Sequence, residues 1–154
     1  MTGQKEFAVI QLPDLKWPSS LELPSRFRLF VAANISDVST KAVSDFALAA
    51  LARGMVYFCA WGHDCKRLHD IVDEVIAEDH ASKRRFAGPT VHDVVITTSH
   101  EGETLEEALD FFATCAVPTD GLAPDSSFRL VICVGDPDWE TTANHFLESA
   151  KFFV

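Results

Sequence analysis

Phe128-Arg-Leu-Val-Ile-Cys-Val-Gly-Asp136 is the stretch whose reading decides the fold. Leu130 to Val134 are five consecutive apolar residues, three of them β-branched. The run is too short for a free-standing helix and too continuous for a strand with one wet face. It reads as a strand buried on both faces of a sheet. Gly135-Asp136-Pro137-Asp138 stops it and opens a helix, with Asp136 as N-cap and Pro137 at the first helical position. An aspartate in place of Val131 is therefore expected to prevent folding, because a carboxylate in a two-sided core has neither water nor a partner.

The same strand-turn-helix grammar occurs three times upstream. Phe27 to Ala33 is a strand ending at Asn34, followed by a helix with Val43, Phe46, Ala47, Ala50 and Leu51 on one face and Gly54 at its end. Met55 to Trp61 is the next strand, and its helix carries the stripe Leu68, Ile71, Val72, Val75 and Ile76 with Asp64 as cap. Val94 to Thr98 is the third strand. Its helix is announced by Thr104 and Glu107 at capping-box spacing and carries Leu105, Ala108, Leu109, Phe112 and Ala113 inward. The helix after Asp136 turns Ala143, Phe146, Leu147 and Ala150 inward, and Phe152 to Val154 is expected to dock the C-terminus.

Alternating strands and helices mean parallel pairing, since each helix supplies the crossover that parallel neighbours need. The expected fold is a three-layer α/β/α sandwich around a mainly parallel sheet of four or five strands, Rossmann-like or flavodoxin-like. Its strands lie near residues 27–34, 55–61, 93–99 and 128–135. Numbered in that order, they are expected as 2-1-3-4, with 3-2-1-4 as the alternative. Residues 1–26 form an arm packed on a single α/β domain of residues 27–154. Within the arm Phe7 to Leu12 supplies a short edge strand, while Pro13, Pro18 and Pro24 keep the remainder extended and Trp17 and Leu21 pin it down. His80 to His92 is the longest connection and contains Lys83-Arg84-Arg85 and the breaker Gly88-Pro89.

Composition narrows the function classes. The 154 residues carry a formal charge of −10, with 47% hydrophobic and 23% charged residues. A nucleic-acid binder needs a basic footprint, and the single basic cluster here is Lys83-Arg84-Arg85, so no nucleic-acid partner is expected. No apolar run approaches the ~20 residues of a bilayer crossing, and no membrane partner is expected. The N-terminal Met-Thr-Gly-Gln-Lys-Glu-Phe lacks the basic-then-apolar layout of a signal peptide, so the protein is expected in the cytoplasm. Cys59, Cys65, Cys115 and Cys133 form no C-x-x-C pair, which points to reduced thiols without disulfides or structural zinc.

In open α/β sheets ligands bind beyond the carboxyl ends of the strands, where strand order reverses. Those ends carry Asn34 and Asp37; Trp61, His63, Asp64 and Cys65; Ser99, His100 and Glu101; and Asp136, Asp138 and Trp139. Trp61-Gly-His-Asp-Cys65 stands out. Cys65 falls in the first turn of a helix, where the dipole lowers a thiol pKa, and His63 is two residues away. A Cys/His nucleophilic pair is one reading; a plain Asp64 cap beside an exposed His63 is the simpler one. His63, His100, Asp64 and Asp136 offer imidazole and carboxylate ligands, but without the spacing of a metal motif, so no metal is assigned. The catalytic candidates are thus His63, Asp64, Cys65 and Asp136. His69, His80, His92 and His145 receive no role. The turn Asn34-Ile-Ser-Asp-Val-Ser39 has no glycine, which argues against a dinucleotide or phosphate loop, and no G-x-S-x-G elbow is present. No cofactor is implied.

The segment from Leu29 to Asp136, above all Val56-Tyr-Phe-Cys-Ala-Trp-Gly-His-Asp-Cys65, resembles small uncharacterised bacterial Rossmann-like proteins. That resemblance implies the fold and no reaction. The flavodoxin-like layout is also similar to Toll/interleukin-receptor signalling domains, whose catalytic glutamate has no counterpart here.

Two functions follow. The first is a non-enzymatic accessory protein, of immunity or regulatory type, whose acidity engages a basic protein partner. The outer side of the second unit's helix, with Asp70, Asp73, Glu74, Glu78 and Asp79, is the expected contact surface. The second is a small enzyme or ligand-binding protein using the rim around Trp61, His63, Asp64 and Cys65.

Overall fold

The computed structural model describes residues 6–81 and 93–150. Lys83-Arg84-Arg85, Gly88-Pro89, His92 and the C-terminal Phe152 to Val154 lie outside the described residues. In chain order the elements are β1 (Phe7–Leu12), β2 (Phe27–Ala33), α1 (Thr40–Arg53), β3 (Met55–Trp61), α2 (Cys65–Ala81), β4 (Ile96–Ser99), α3 (Leu105–Thr114), β5 (Arg129–Val134) and α4 (Pro137–Ser149).

Local signals place the helix ends. Ser39 accepts from the Ala42 N–H to start α1, and Gly54 ends it with φ 112°. A side chain at Gly54 would overlap the Ser25 carbonyl, so only glycine fits. Thr104 and Glu107 complete both halves of a capping box at α3. Asp136 caps α4 with Pro137 in its first turn, as the sequence requires.

All strands pair in parallel, in the order β1-β5-β2-β3-β4. This corrects the expected 2-1-3-4. The strands of the four units are β2, β3, β4 and β5, and they lie as 3-2-1-4, with β1 added beyond β5. The reason is burial. β4 is half-exposed along its whole length and rich in hydroxyls, which suits an edge. β5 is buried from Arg129 to Cys133 and needs neighbours on both sides, which β1 and β2 provide. β4 is also shorter than the 93–99 read from sequence.

Two apolar layers sandwich the sheet. One gathers α1, α2 and the arm residues Leu15, Trp17, Leu21 and Leu23, and the other gathers α3 and α4. The connections β1 to β2, β2 to β3 and β3 to β4 all step the same way across the sheet and run over the same face. β4 to β5 steps back and runs over the opposite face. All four crossovers therefore share one hand, as the twist of parallel sheets demands. Residues 13–26 fill the place of a crossover helix without being one.

Two arginines interrupt the apolar interior, and nothing in the sequence reading marked them. Arg28 and Arg129 are register partners on β2 and β5, exposed by 2% and 0%. Arg28 donates to the carbonyls of Ala116 and Ser126, both at 2.9 Å. Arg129 donates to Phe112 at 3.2 Å, Ala113 at 3.1 Å and Ser127 at 2.9 Å. The last carbonyls of a helix have no partners of their own and carry the negative end of its dipole. The last turn of α3 contains no basic residue, and the strands below supply the cations instead.

Candidate functional site

Strand order reverses between β2 and β5, because β2 feeds β3 on one side while β5 receives the chain from the opposite edge. The reversal opens a crevice beyond Ala33 and Val134. Its first turn is built without glycine. Asn34 Oδ1 accepts from the Ser36 N–H at 3.0 Å and from its hydroxyl at 2.8 Å, which holds the chain in a side-chain-mimicked turn. Next to it Gly62 adopts φ 117°, and a side chain there would overlap the Ala33 carbonyl. The end of β3 is thereby laid against the end of β2, which brings Trp61 and His63 to the crevice.

Trp61 is fixed at both ends of its ring. Its Nε1–H donates to the Glu103 carbonyl at 2.8 Å. Its ring stands edge to face with that of Trp139, with centroids 5.2 Å apart and planes at 85°. Two adjoining hollows flank this pair. One, of about 520 Å³, is lined among others by Asp14, Asn34, Asp37, Asp136 and Trp139. The other, of about 350 Å³, is lined by Asn34, Trp61, His63, His100, Glu103 and Trp139 with two glycines. Their charged linings are carboxylates, with no lysine or arginine.

The structure disperses the catalytic candidates. His63 is exposed and lines the smaller hollow. Asp64 is not a side-chain cap: it has φ 64°, its backbone carbonyl takes the Arg67 and Leu68 N–H groups, and its carboxylate lies 3.9 Å from Arg67. Cys65 is 1% exposed, with Sγ 3.7 Å from the Ser99 hydroxyl. It continues the inward stripe of Leu68 and Val72, three and seven residues on, and so faces the sheet. Cys65 is thus closed off from the crevice in this structure. Asp136 stays at the crevice wall while accepting from the Asp138 N–H at 2.9 Å. His63, His100, Asp64 and Asp136 are not gathered: among the described residues no three His, Cys, Asp or Glu side chains group as metal ligands.

His100 belongs to a chain of contacts that sequence reading missed. Its Nδ1 lies 3.2 Å from both Glu103 carboxylate oxygens and its Nε2 2.8 Å from the Thr98 hydroxyl. Carboxylate, imidazole and hydroxyl thus stand in the order used for nucleophile activation. The Thr98 hydroxyl, however, points to Cys59 Sγ at 3.3 Å and is not part of the crevice lining. Burial pushes the Cys59 thiol up to about 12, so that end of the chain is inert at neutral pH. The His100 ring also packs on Phe111 at 4.8 Å, so the contacts fasten the end of β4 to α3. The three-residue spacing of His100 and Glu103 was the available signal.

The outer side of α2 is less free than its composition implies. Asp70 is paired with Lys66 at 3.1 Å and His69 at 2.9 Å, and these partners hold its carboxyl below the ordinary value, His69 foremost. His69, given no role from sequence, reaches Thr97 on β4 at 2.9 Å, and Thr97 donates to Asp73 at 3.1 Å. Asp79, expected outside, is buried. Of the five acids, Glu74 and Glu78 are exposed and make no ion pair among the described residues.

A family model matches residues 7–150, from the first residue of β1 through the end of α4. The chain belongs to the family of the domain of unknown function DUF7684. No curated protein and no solved structure matches it. The matched span holds every residue of the crevice. Among the described residues no helix is long and apolar enough to cross a membrane.

Proposed function

We propose that this protein is a non-enzymatic binding module of the accessory kind. It has a Rossmann-like fold, and its switch-point crevice receives a cationic side chain of a basic protein partner. The observation that carries this reading is the Trp61–Trp139 pair, held edge to face beside Asp136 and Asp37. An indole face attracts a guanidinium or ammonium by ~0.5–2 kcal/mol, more as water is excluded, and a nearby carboxylate adds charge complementarity. A phosphate or carboxylate ligand would meet the like charge of Asp14, Asp37 and Asp136 there. The rival reading, an enzyme at the same rim, keeps His63 and Asp136 there, with Cys65 buried away from them. The acidic side of α2 is the weaker contact surface, because Asp70, Asp73 and Asp79 are already engaged within the chain.

Tryptophan fluorescence titrated with triarginine amide tests the reading. A saturable change is expected, weaker as salt rises through the physiological range, where exposed charges are screened beyond ~8 Å. Trp139→Ala and Asp37→Lys should each abolish it, while charge reversal at Asp73 and Glu74 should leave it within about twofold. A signal that ignores Asp37→Lys and disappears on reversal at Asp73 and Glu74 would move the partner to α2.

A further inference from the structure

The crevice does not end at Asp37. A third hollow, of about 610 Å³, continues from it between residues 14–17 and α1. It shares Asp14, Leu15, Asp37 and Val38 with the middle hollow, which in turn shares Asn34 and Trp139 with the smallest. The first and last share no residue, so the three lie in series as one trough. Its far end has an aromatic floor. Trp17 stacks on Phe27 with centroids 5.9 Å apart and meets Phe46 edge-on at 5.5 Å. Ala42 and Ala49, two turns apart on α1, leave the space above them open. Between the indole pair and Trp17 lie Asp136, Asp37 and Asp14. Among the described residues neither Asp37 nor Asp14 has an ion-pair partner. Asp45 at the far rim is paired at 2.7 Å with Lys41, which lies outside the lining, and Lys16 is the one cation of the lining.

We infer that this trough is the seat of an extended segment of the basic partner, carrying cationic residues over the crevice and a large apolar residue in the Trp17 hollow. The inference rests on the function proposed above and adds the partner's form and its second anchor. Hollows in series are filled by side chains spaced along one strand-like chain, whose same-face residues recur every ~6.6 Å. Acidic walls between two aromatic ends select for arginine or lysine in the middle and exclude an acidic chain. The third hollow is larger than a cation needs and is floored by carbon, so its occupant is apolar.

Fluorescence anisotropy in physiological salt tests this with nine-residue labelled peptides. One carries three arginines with Leu-Phe at its N-terminal end, one has Leu-Phe at the other end, and a third has two serines instead. At least one Leu-Phe peptide is expected to bind about tenfold tighter than the serine peptide, the gain that burying one large apolar side chain provides. Ala49→Gln, a change at a half-buried position that fills the hollow without altering charge, should erase that gain while triarginine amide still binds. Equal affinity of all three peptides, or a gain that survives Ala49→Gln, overturns the inference and leaves the cation-binding crevice standing. Failure of triarginine amide itself overturns both. A concentration-dependent dimer in sedimentation that Ala49→Gln dissolves would assign the hollow to a second copy of this chain and likewise overturn it.

Discussion

Of the four cysteines, Cys115 alone keeps its side chain in solvent, just past the end of α3. Cys59 and Cys133 sit on central strands, where burial pushes each thiol up to about 12, and Cys65 lies under the first turn of α2. Alkylation needs both access and thiolate. An alkylating reagent at neutral pH is therefore expected to modify Cys115 at the rate of an ordinary surface thiol. The other three should react only after denaturant is added, as mass spectrometry of the peptides would report. Native-state labelling of Cys65 alongside Cys115 would show that the start of α2 opens, and would return the thiol to the crevice. The position of Cys65 in a helix's first turn was legible from sequence, and so was its place in the stripe with Leu68 and Val72. The second signal outweighs the first, because burying a side chain against the sheet decides where the turn faces.

At the level of elements, α3 depends on strands for its C-terminal charge. Arg28 and Arg129 donate to three carbonyls at or just beyond the end of that helix, those of Phe112, Ala113 and Ala116, and to those of Ser126 and Ser127 just ahead of β5. Burial, and then the neighbouring Arg28, lower the Arg129 pKa to about 10, yet the cation keeps its carbonyl partners. Arg129→Met keeps the stem and removes the fork, leaving the buried Phe112 and Ala113 carbonyls without it. Each unpaired buried acceptor costs ~1–3 kcal/mol, so a loss of about 3 kcal/mol is expected, with relief of the Arg28 repulsion limiting it. Urea denaturation should show a lower midpoint at unchanged slope. Arg129→Lys should recover less than half of the loss, since a point charge cannot bridge several carbonyls at once. A midpoint unchanged in Arg129→Met would mean that α3 does not need this cap.

The whole molecule is expected to lose stability in alkali before any lysine-rich surface would account for it. Burial raises Cys59 and Cys133 from an ordinary 9.0 to about 12 and Tyr57 from 10.0 to about 12. Each acid therefore keeps its proton in the folded state at a pH where the unfolded chain has released it. The folded state then binds more protons, and stability falls with pH. Their contribution is complete below pH 9 and drains as pH rises toward 12. Arg129 has the opposite sign, but only above about 10. The window from pH 9 to 10 isolates the thiols. Chemical denaturation should give equal midpoints at pH 7 and 8 and a falling one from 9 to 10. Cys59→Ala with Cys133→Ala should flatten that slope whatever it does to the midpoint at neutrality. A flat profile in the parent protein would show that these thiols are solvated.

What the sequence determined by itself was local: where Thr104 and Asp136 start helices, where Gly54 ends one, and which helix faces are apolar. These follow from the hydrogen-bonding needs of the chain's own backbone and from the helical and strand periods, so a window of a dozen residues contains them. Parallel pairing followed too, because alternating elements leave no other connection. Strand order did not, since it depends on which buried strand wins two neighbours. The contrast between hydroxyl-rich Ile96–Ser99 and apolar Leu130–Val134 pointed to the answer without forcing it. The Arg28–Arg129 pair and the trough from Trp61 to Trp17 belong to the tertiary structure alone. Each joins residues from segments distant in sequence, whose meeting is set by the sheet and recorded in no local pattern.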